Sequence, residues 1–257
     1  MEQETKIPKV AIIIATHNYG HFIKDAIQSV VLQDYPNKVI YIVDDASTDD
    51  TENIIYKLVF GPEFMGPVKS ASSEEYELNL LTPINGLYFK LKKCGGPSRA
   101  RNFAIKHALE NGCHIIAILD ADDCMKQMKL SKAVLKIMED PERIAGVYGD
   151  YLHLNTETGA ITYESKWSYD INKLRQECIV HSGTVLNGAA LKQVGLYRED
   201  MRTCEDFELY RRLAQRFLFV HIPEDLTIVR VQPMNSTVTV SKELWAENYR
   251  KAMSVPL

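Results

Sequence analysis

The segment HIIAILDADDCMKQ, residues 114–127, runs an apolar stretch straight into three carboxylates, Asp120, Asp122 and Asp123. Like charges this close raise one another's pKa, so the cluster calls for a cation, a basic neighbour or open water. If the cation is a metal, the oxygen-only donor set suits Mg²⁺ or Mn²⁺. Asp44 and Asp45 end the run KVIYIVDD in the same way, and a further acidic pair, Glu205 and Asp206, opens the helical CEDFELYRRLAQRF, a first turn where the helix dipole also favours acids. Arg99 and Arg101 follow Gly95-Gly96-Pro97-Ser98, a turn whose missing side chains let a ligand approach closely.

The elements that must position these groups follow from hydrophobic periodicity. Val10 to Ala15 is a continuous apolar run bounded by polar turn residues, the pattern of a strand buried on both faces of a parallel sheet. In HFIKDAIQSVVLQ the apolar residues recur at helical spacing, and Tyr35-Pro36 closes the element. KVIYIVDD repeats the strand pattern, and STDDTENIIYKLV opens a second helix with Ser47 or Thr48 as its expected cap and acids in its first turn. Asp49 and Asp50 are assigned to that turn and not to a site. Residues 61–85 carry Gly, Pro, Ser and acids without a clear period and read as an inserted loop, mobile and on the acceptor side. GLYFKLKK is then a third strand, RARNFAIKHALEN a helix whose start Asn102 should fix, and HIIAILD a fourth strand. Strand and helix alternate, so a right-handed parallel sheet is favoured, with ligands at the carboxyl ends of its strands. Both acidic strand ends then share one crevice. Beyond residue 125 the pattern predicts a helix over KLSKAVLKIMED, an antiparallel hairpin of RIAGVYGDYLHLN with AITYESKW, the amphipathic helix that begins at Glu205, and a last strand, LTIVRVQ.

Bulk properties narrow the partners. The 257 residues are 46% hydrophobic and 25% charged, values of an ordinary globular chain. A net charge of −4 offers no broad basic surface for nucleic acid or anionic lipid, so small molecules are the expected partners. Five cysteines without a CxxC pair argue against a disulfide framework and a structural zinc site, and read as free thiols in a reducing compartment. The N-terminus has no signal-peptide core, and no apolar run approaches the roughly 18 residues of a membrane span. A cytoplasmic location is expected, with peripheral work at the inner membrane face left open.

Five segments, in order, resemble the family 2 glycosyltransferases: the opening strand with THNYG, VDDASTDDT, GGPSRARN, LDADD and CEDFELYRRL. The resemblance covers nearly the whole chain. It implies an α/β fold of the GT-A, Rossmann-like type, with a mixed, mainly parallel central sheet flanked by helices. It implies one domain over residues 1–257, with a nucleotide-binding half at about 8–125 and an acceptor and catalytic half at about 126–240. It implies metal-dependent, inverting transfer of a sugar from a nucleoside diphosphate to an acceptor hydroxyl. By the family's motifs, Asp206 is the catalytic base and Asp122 the metal ligand, with Asp123 a second ligand or a structural residue. Asp120 reaches the ribose, or the metal through water, and Asp45 accepts a hydrogen bond from the base. Thr16, His17 and Asn18 line the nucleotide, His17 standing where relatives often place a Tyr, and Arg101 meets the pyrophosphate or Asp45. Ser182, Gly183, Glu205 and Arg230 are candidate sugar, acceptor or phosphate contacts. The implied cofactor is Mn²⁺ or Mg²⁺. The donor is a UDP-sugar by preference or a GDP-sugar, and the acceptor a glycan, a lipid-linked sugar or a protein. Gln232 departs from the family, which often has a metal-holding His there.

Rival readings fare worse. A haloacid dehalogenase-type phosphotransferase wants its Asp pair on the first strand, and a sugar nucleotidylyltransferase wants a basic Gly-rich loop after that strand, where THNYGHF stands instead. A non-catalytic nucleotide-sugar binder of the same fold is the alternative.

Overall fold

A computed structural model describes residues 7–63, 71–233, 235 and 239–257. One sheet of eleven strands runs through both halves of the chain. Its centre consists of β1 (Val10–Thr16), β2 (Lys38–Asp44), β5 (Gly86–Leu91) and β6 (Ile115–Asp120), all mutually parallel in the order β5-β2-β1-β6. β10 (Val185–Asn187) runs antiparallel to β6 and to β8 (Ile144–Asn155), and β8 pairs in parallel with β11 (Leu218–Val231). The sheet is therefore mixed and mainly parallel at its core. The expected hairpin forms between β8 and β9 (Ile161–Glu164), and β7 (Cys124–Met125) pairs with β11.

The apolar runs are explained by two buried layers. Along β1, Ala11 and Ile13 pack into one layer while Val10, Ile12 and Ile14 pack into the other, as the two-residue repeat of a strand requires. Each Ile is fully buried and contributes about 1.5–3 kcal/mol. The first layer is covered by α3 (Pro97–Glu110), α6 (Gly188–Val194), α7 (Glu205–Ala214) and α8 (Lys242–Met253). The second is covered by α1 (Gly20–Val31), α2 (Thr51–Phe60) and α4 (Lys129–Glu139). A short helix, α5 (Ile171–Leu174), joins β9 to β10.

Three local expectations need correction. Within 61–85, β3 (Ala71–Ser72) and β4 (Tyr76–Leu81) are strands, with β4 antiparallel to β5 over its whole length. Its Leu81 is fully buried. This stretch is the sheet edge beside β5 and not an inserted loop; the part at 64–70 lies outside the described residues. A weak apolar alternation in a polar segment hid the strand. Neither Ser47 nor Thr48 caps α2: Asp49 Oδ1 accepts from Thr51 N at 3.1 Å, and its Oδ2 accepts from Gly20 N at 3.1 Å, joining two helix starts. Asn102 lies within α3 and does not fix its start. Its amide donates to Tyr197 O at 2.9 Å and accepts from Tyr197 N at 3.0 Å, bolting α3 to the segment before α7.

Candidate active site

Strand register decides the geometry of the crevice. Thr16 lies opposite Asp44, and Ala15 opposite Asp120, so three strand ends stop at one level. The loops beyond them are strained: Asn18 (φ 58°) and Ala46 (φ 60°) are left-handed, as is Cys204 (φ 56°) just before α7. Such backbone costs of order 1–3 kcal/mol per residue and persists where surrounding contacts impose it. Here Asn18 Oδ1 accepts from Thr48 N at 2.8 Å, and Asn18 N donates to Ser47 Oγ at 2.9 Å. Asn18 thus stitches the loop after β1 to the loop after β2.

Two contiguous cavities occupy the crevice. The first, of about 360 Å³, is lined by Thr16, His17, Tyr19, Asp45, Cys94 and Arg202, among others. The second, of about 410 Å³, is lined by Asp123, Ser182, Asp206, Arg230 and Trp245, among others. Arg101, Asp120, Asp122, Glu205 and Asn235 line both.

In the first cavity Asp45 holds the loop between β5 and α3. Its carboxylate accepts from Gly95 N at 2.9 Å, Gly96 N at 2.7 Å and Cys94 Sγ at 3.2 Å. Gly96 takes φ +88°, where a side chain would be strained, which accounts for the glycine. His17 Nδ1 sits 2.8 Å from Asp45 O. Thr16 Oγ1 and Arg101 Nε are buried with no hydrogen-bond partner among the described residues, a cost native structures carry where a ligand or water completes the bonding.

Arg101 joins the two cavities. Its Nη2 donates to Asp120 Oδ1 at 2.6 Å and its Nη1 to Glu205 Oε1 at 2.7 Å. The guanidinium thus bridges the end of β6 and the start of α7; neither of these bonds goes to Asp45, the partner the motif suggested as one option. Arg99 instead faces outward, to Lys93 O and Glu75.

The acidic cluster is balanced from several sides. Gln232 Nε2 and Asn235 Nδ2 donate to Asp122 Oδ2 at 3.0 and 3.2 Å. Burial and the charge of Asp120 still push the Asp122 carboxyl up to about 6. Asp123 is 5% exposed, accepts from Arg230 N at 2.9 Å, and is held well above the usual carboxylate range by burial and by Asp120 and Asp122. Arg230 donates to Asp122 O at 3.0 Å and to Asp25 Oδ2 at 2.5 Å, so its guanidinium braces the floor of the site. Beneath lies Lys129, 1% exposed, donating to Thr227 Oγ1 at 2.8 Å; burial lowers its pKa to about 8 despite Asp123 and Asp120.

Among the described residues no three His, Cys, Asp or Glu side chains converge as a self-sufficient metal cage. The donor set still fits a hard cation. Asp122 combines a carboxylate at the junction of the cavities with a raised pKa that positive charge would relieve, and Mg²⁺ takes one or two carboxylates plus phosphate and water oxygens by preference.

In the second cavity Asp206 is partly exposed. Phe207 N donates to its Oδ1 at 2.7 Å. Burial first and Glu205 second push its carboxyl up to about 7. Ser182 lines this cavity. Gly183 lies buried beside it, and a Cβ there would meet His181 Nδ1 at 3.0 Å and Lys129 Nζ at 3.1 Å. Tyr19, Cys94, Arg202, Asn235, Trp245 and Tyr249 were not singled out from the sequence. Tyr19 and Cys94 adjoin residues that were, so proximity in the chain was a usable signal for those two; Trp245 and Tyr249 had none.

The model of glycosyl transferase family 2 matches residues 11–66 and 72–189. An uncharacterized glycosyltransferase of Rickettsia bellii is 28% identical over 239 residues, covering 89% of this chain and 30% of the relative. The UDP-Glc:alpha-D-GlcNAc-diphosphoundecaprenol beta-1,3-glucosyltransferase WfgD of Escherichia coli is 30% identical over 179 residues, 69% of this chain and 59% of the relative. The chain thus spans about a third of the length of its relatives from Rickettsia bellii (30%) and Rickettsia felis (34%). Among solved structures, S. aureus TarS 1-349 in complex with UDP-GlcNAc superposes with a TM-score of 0.72 at 18% identity, over 97% of this chain and 68% of that one. The mannosyltransferase PcManGT from Pyrobaculum calidifontis, in complex with GDP-Man and Mn²⁺, superposes with a TM-score of 0.65 at 20% identity, over 90% and 59%. The fold is GT-A, and with the family model covering most of its length the chain belongs to glycosyl transferase family 2.

Proposed function

We propose that this chain transfers a sugar from a nucleoside diphosphate sugar to an acceptor hydroxyl with inversion, with Asp206 as the base. The observation that carries the reading is the Asp206 carboxyl, raised to about 7 in a cavity that shares Arg101, Asp120, Asp122 and Glu205 with the neighbouring cavity. A base works best with its pKa near the operating pH. Thr16, His17, Asn18, Asp45 and Arg101 belong to the nucleotide side. Thr16 Oγ1 supplies a free polar group there, Asn18 and Asp45 set the loops, and Asp45 Oδ1 keeps an acceptor position.

The acceptor oxygen attacks the anomeric carbon, and the new C–O bond forms as the bond from that carbon to the diphosphate oxygen breaks. The proton passes to Asp206, and the electron pair leaves with the diphosphate. A divalent cation, Mn²⁺ or Mg²⁺, would be held by Asp122, with Asp120 within reach through water, and would supply charge compensation to the leaving diphosphate. Gln232 orients the Asp122 carboxylate through its amide, so the cation would be held by carboxylate and phosphate oxygens without a histidine ligand. Arg101 keeps Glu205 and Asp120 in place, so that the nucleotide and acceptor sides stay in register. UDP-sugars are the preferred donors, because the TarS complexes hold UDP-GlcNAc and UDP. A GDP-sugar is the alternative, as in PcManGT.

The test is a donor-hydrolysis and transfer screen of UDP- and GDP-sugars with Mn²⁺, run on the parent and on Asp206→Asn. Activity with one donor class, lost at least about a hundredfold in the variant while nucleoside diphosphate affinity is retained, supports the reading. Retained transfer would remove Asp206 from the base role and bring Glu205 forward. Binding without turnover by the parent would favour the non-catalytic alternative.

A further inference from the structure

Helix α8 presents an indole at the edge of the Asp206 cavity. Ser241 caps it by accepting from Leu244 N at 3.2 Å, and one turn in, Trp245 stacks on Tyr249 with centroids 5.1 Å apart and planes 12° from parallel. Tyr249 is fixed at both ends. Its hydroxyl donates to Gln176 O at 2.8 Å, and its ring packs 5.7 Å from Phe207, the residue after Asp206. Buried Asn248 and Thr203 lie 3.1 Å apart, tying α8 to the loop that leads into Glu205 and Asp206. Trp245 nonetheless remains 41% exposed and lines the cavity with Asp206, Ser182, His153 and Asn235. The chain's other tryptophan, Trp167, has one face covered by Lys173 Nζ, 2.9 Å from its centroid. Among the described residues no such cation covers Trp245.

A rigid, half-exposed indole beside a ring of hydroxyl, imidazole and amide groups matches one ligand chemistry. The C–H face of a pyranose is weakly positive and packs on the negative face of an aromatic ring, while its rim of hydroxyls needs polar partners. An acyl chain would find too many polar groups here, and a peptide strand would need a sheet edge. We propose that Trp245, backed by Tyr249, is the platform on which the acceptor docks, and that the acceptor hydroxyl therefore belongs to a sugar ring. The proposal rests on the reading of Asp206 as the base of this cavity. It adds the substrate class on the acceptor side and assigns a role to a helix that the functional motifs do not reach.

The test uses the two tryptophans of the chain. In a Trp167→Phe background Trp245 is the sole indole, and its emission is followed with UDP and Mn²⁺ present while cellobiose, chitobiose, lactose and maltose are titrated, with glycerol as the ringless control. The expected result is a saturable change with at least one disaccharide and none with glycerol. With that disaccharide as acceptor, Trp245→Ala should raise the acceptor KM about tenfold, with donor KM and UDP affinity within about twofold of the parent, and Trp245→Phe should recover most of the loss. The same disaccharide carried on a prenyl diphosphate separates the two sources of the ring. Tighter binding names a lipid-linked acceptor, equal binding a free glycan, and both support the platform. No saturable change with any disaccharide overturns the proposal. So does an unchanged acceptor KM in Trp245→Ala, or an equal loss of UDP affinity in that variant, which would make α8 a support of the fold. If the Trp245 results hold while Asp206→Asn keeps its transfer rate, the base assignment fails and the platform stands.

Discussion

Asp206 is expected to cost the folded protein stability. Its carboxyl rises from 3.8 to about 7 on folding, chiefly through burial, and one unit corresponds to about 1.4 kcal/mol, so the upper bound is about 4 kcal/mol. The side chain is partly exposed, and water reaching it reduces the cost to about 1–2 kcal/mol. The sign follows from proton linkage. Below about pH 3 the group is protonated in both states and costs nothing. As the pH rises toward 7 the unfolded chain ionises while the native carboxyl resists, and above 7 the whole penalty is present. Asp206→Asn keeps the shape and an oxygen to accept from Phe207 N, but carries no charge to desolvate. At pH 8 the variant should melt about 3–6 °C above the parent, and at about pH 3 the two should differ by less than about 1 °C. Calorimetry or circular dichroism at the two pH values decides it. Equal melting temperatures at pH 8 would show that Asp206 is not a strained acid, and the argument for it as a base tuned by burial would fall with them. In the parent, transfer should rise with pH through about 7 as the acid form is lost.

Further expectations can be checked on the same protein. Asp122→Ala should lose the Mn²⁺ dependence of UDP binding in calorimetry, the parent weakening sharply with EDTA and the variant binding equally with and without it. Arg101→Met leaves Asp120 and Glu205 facing each other without their shared cation, and denaturant unfolding should report a loss of about 3–5 kcal/mol. Asp45→Ala releases two backbone N–H groups of the Gly95–Gly96 turn. UDP affinity should fall at least about tenfold, and hydrogen exchange in residues 94–97 should accelerate.

The central strands and most helices were legible in the sequence because both of their signals are local. A strand buried on two faces must be apolar throughout, as Val10–Ala15 is, and an amphipathic helix must repeat its apolar residues, as the helix from Gly20 to Val31 does. The acidic ends of β2 and β6 were legible for the same reason, since a parallel sheet delivers its strand ends to one edge. β4 was not, because an edge strand with one wet face alternates only weakly and its composition resembles a loop. Helix α8 was missed because nothing about KELWAENYRKAM announces what it packs against.

What the sequence by itself determined is the repertoire of groups: carboxylates at three places, an arginine after a glycine turn, and a family whose motifs occur in order. Only the tertiary structure decided their partners. Arg101 meets Asp120 and Glu205, residues 19 and 104 positions away, Gln232 reaches back 110 positions to Asp122, and Trp245 comes to stand beside Asp206. Contacts at such separations depend on how helices settle on the sheet, a choice made by packing across the whole core and written in no single stretch of chain.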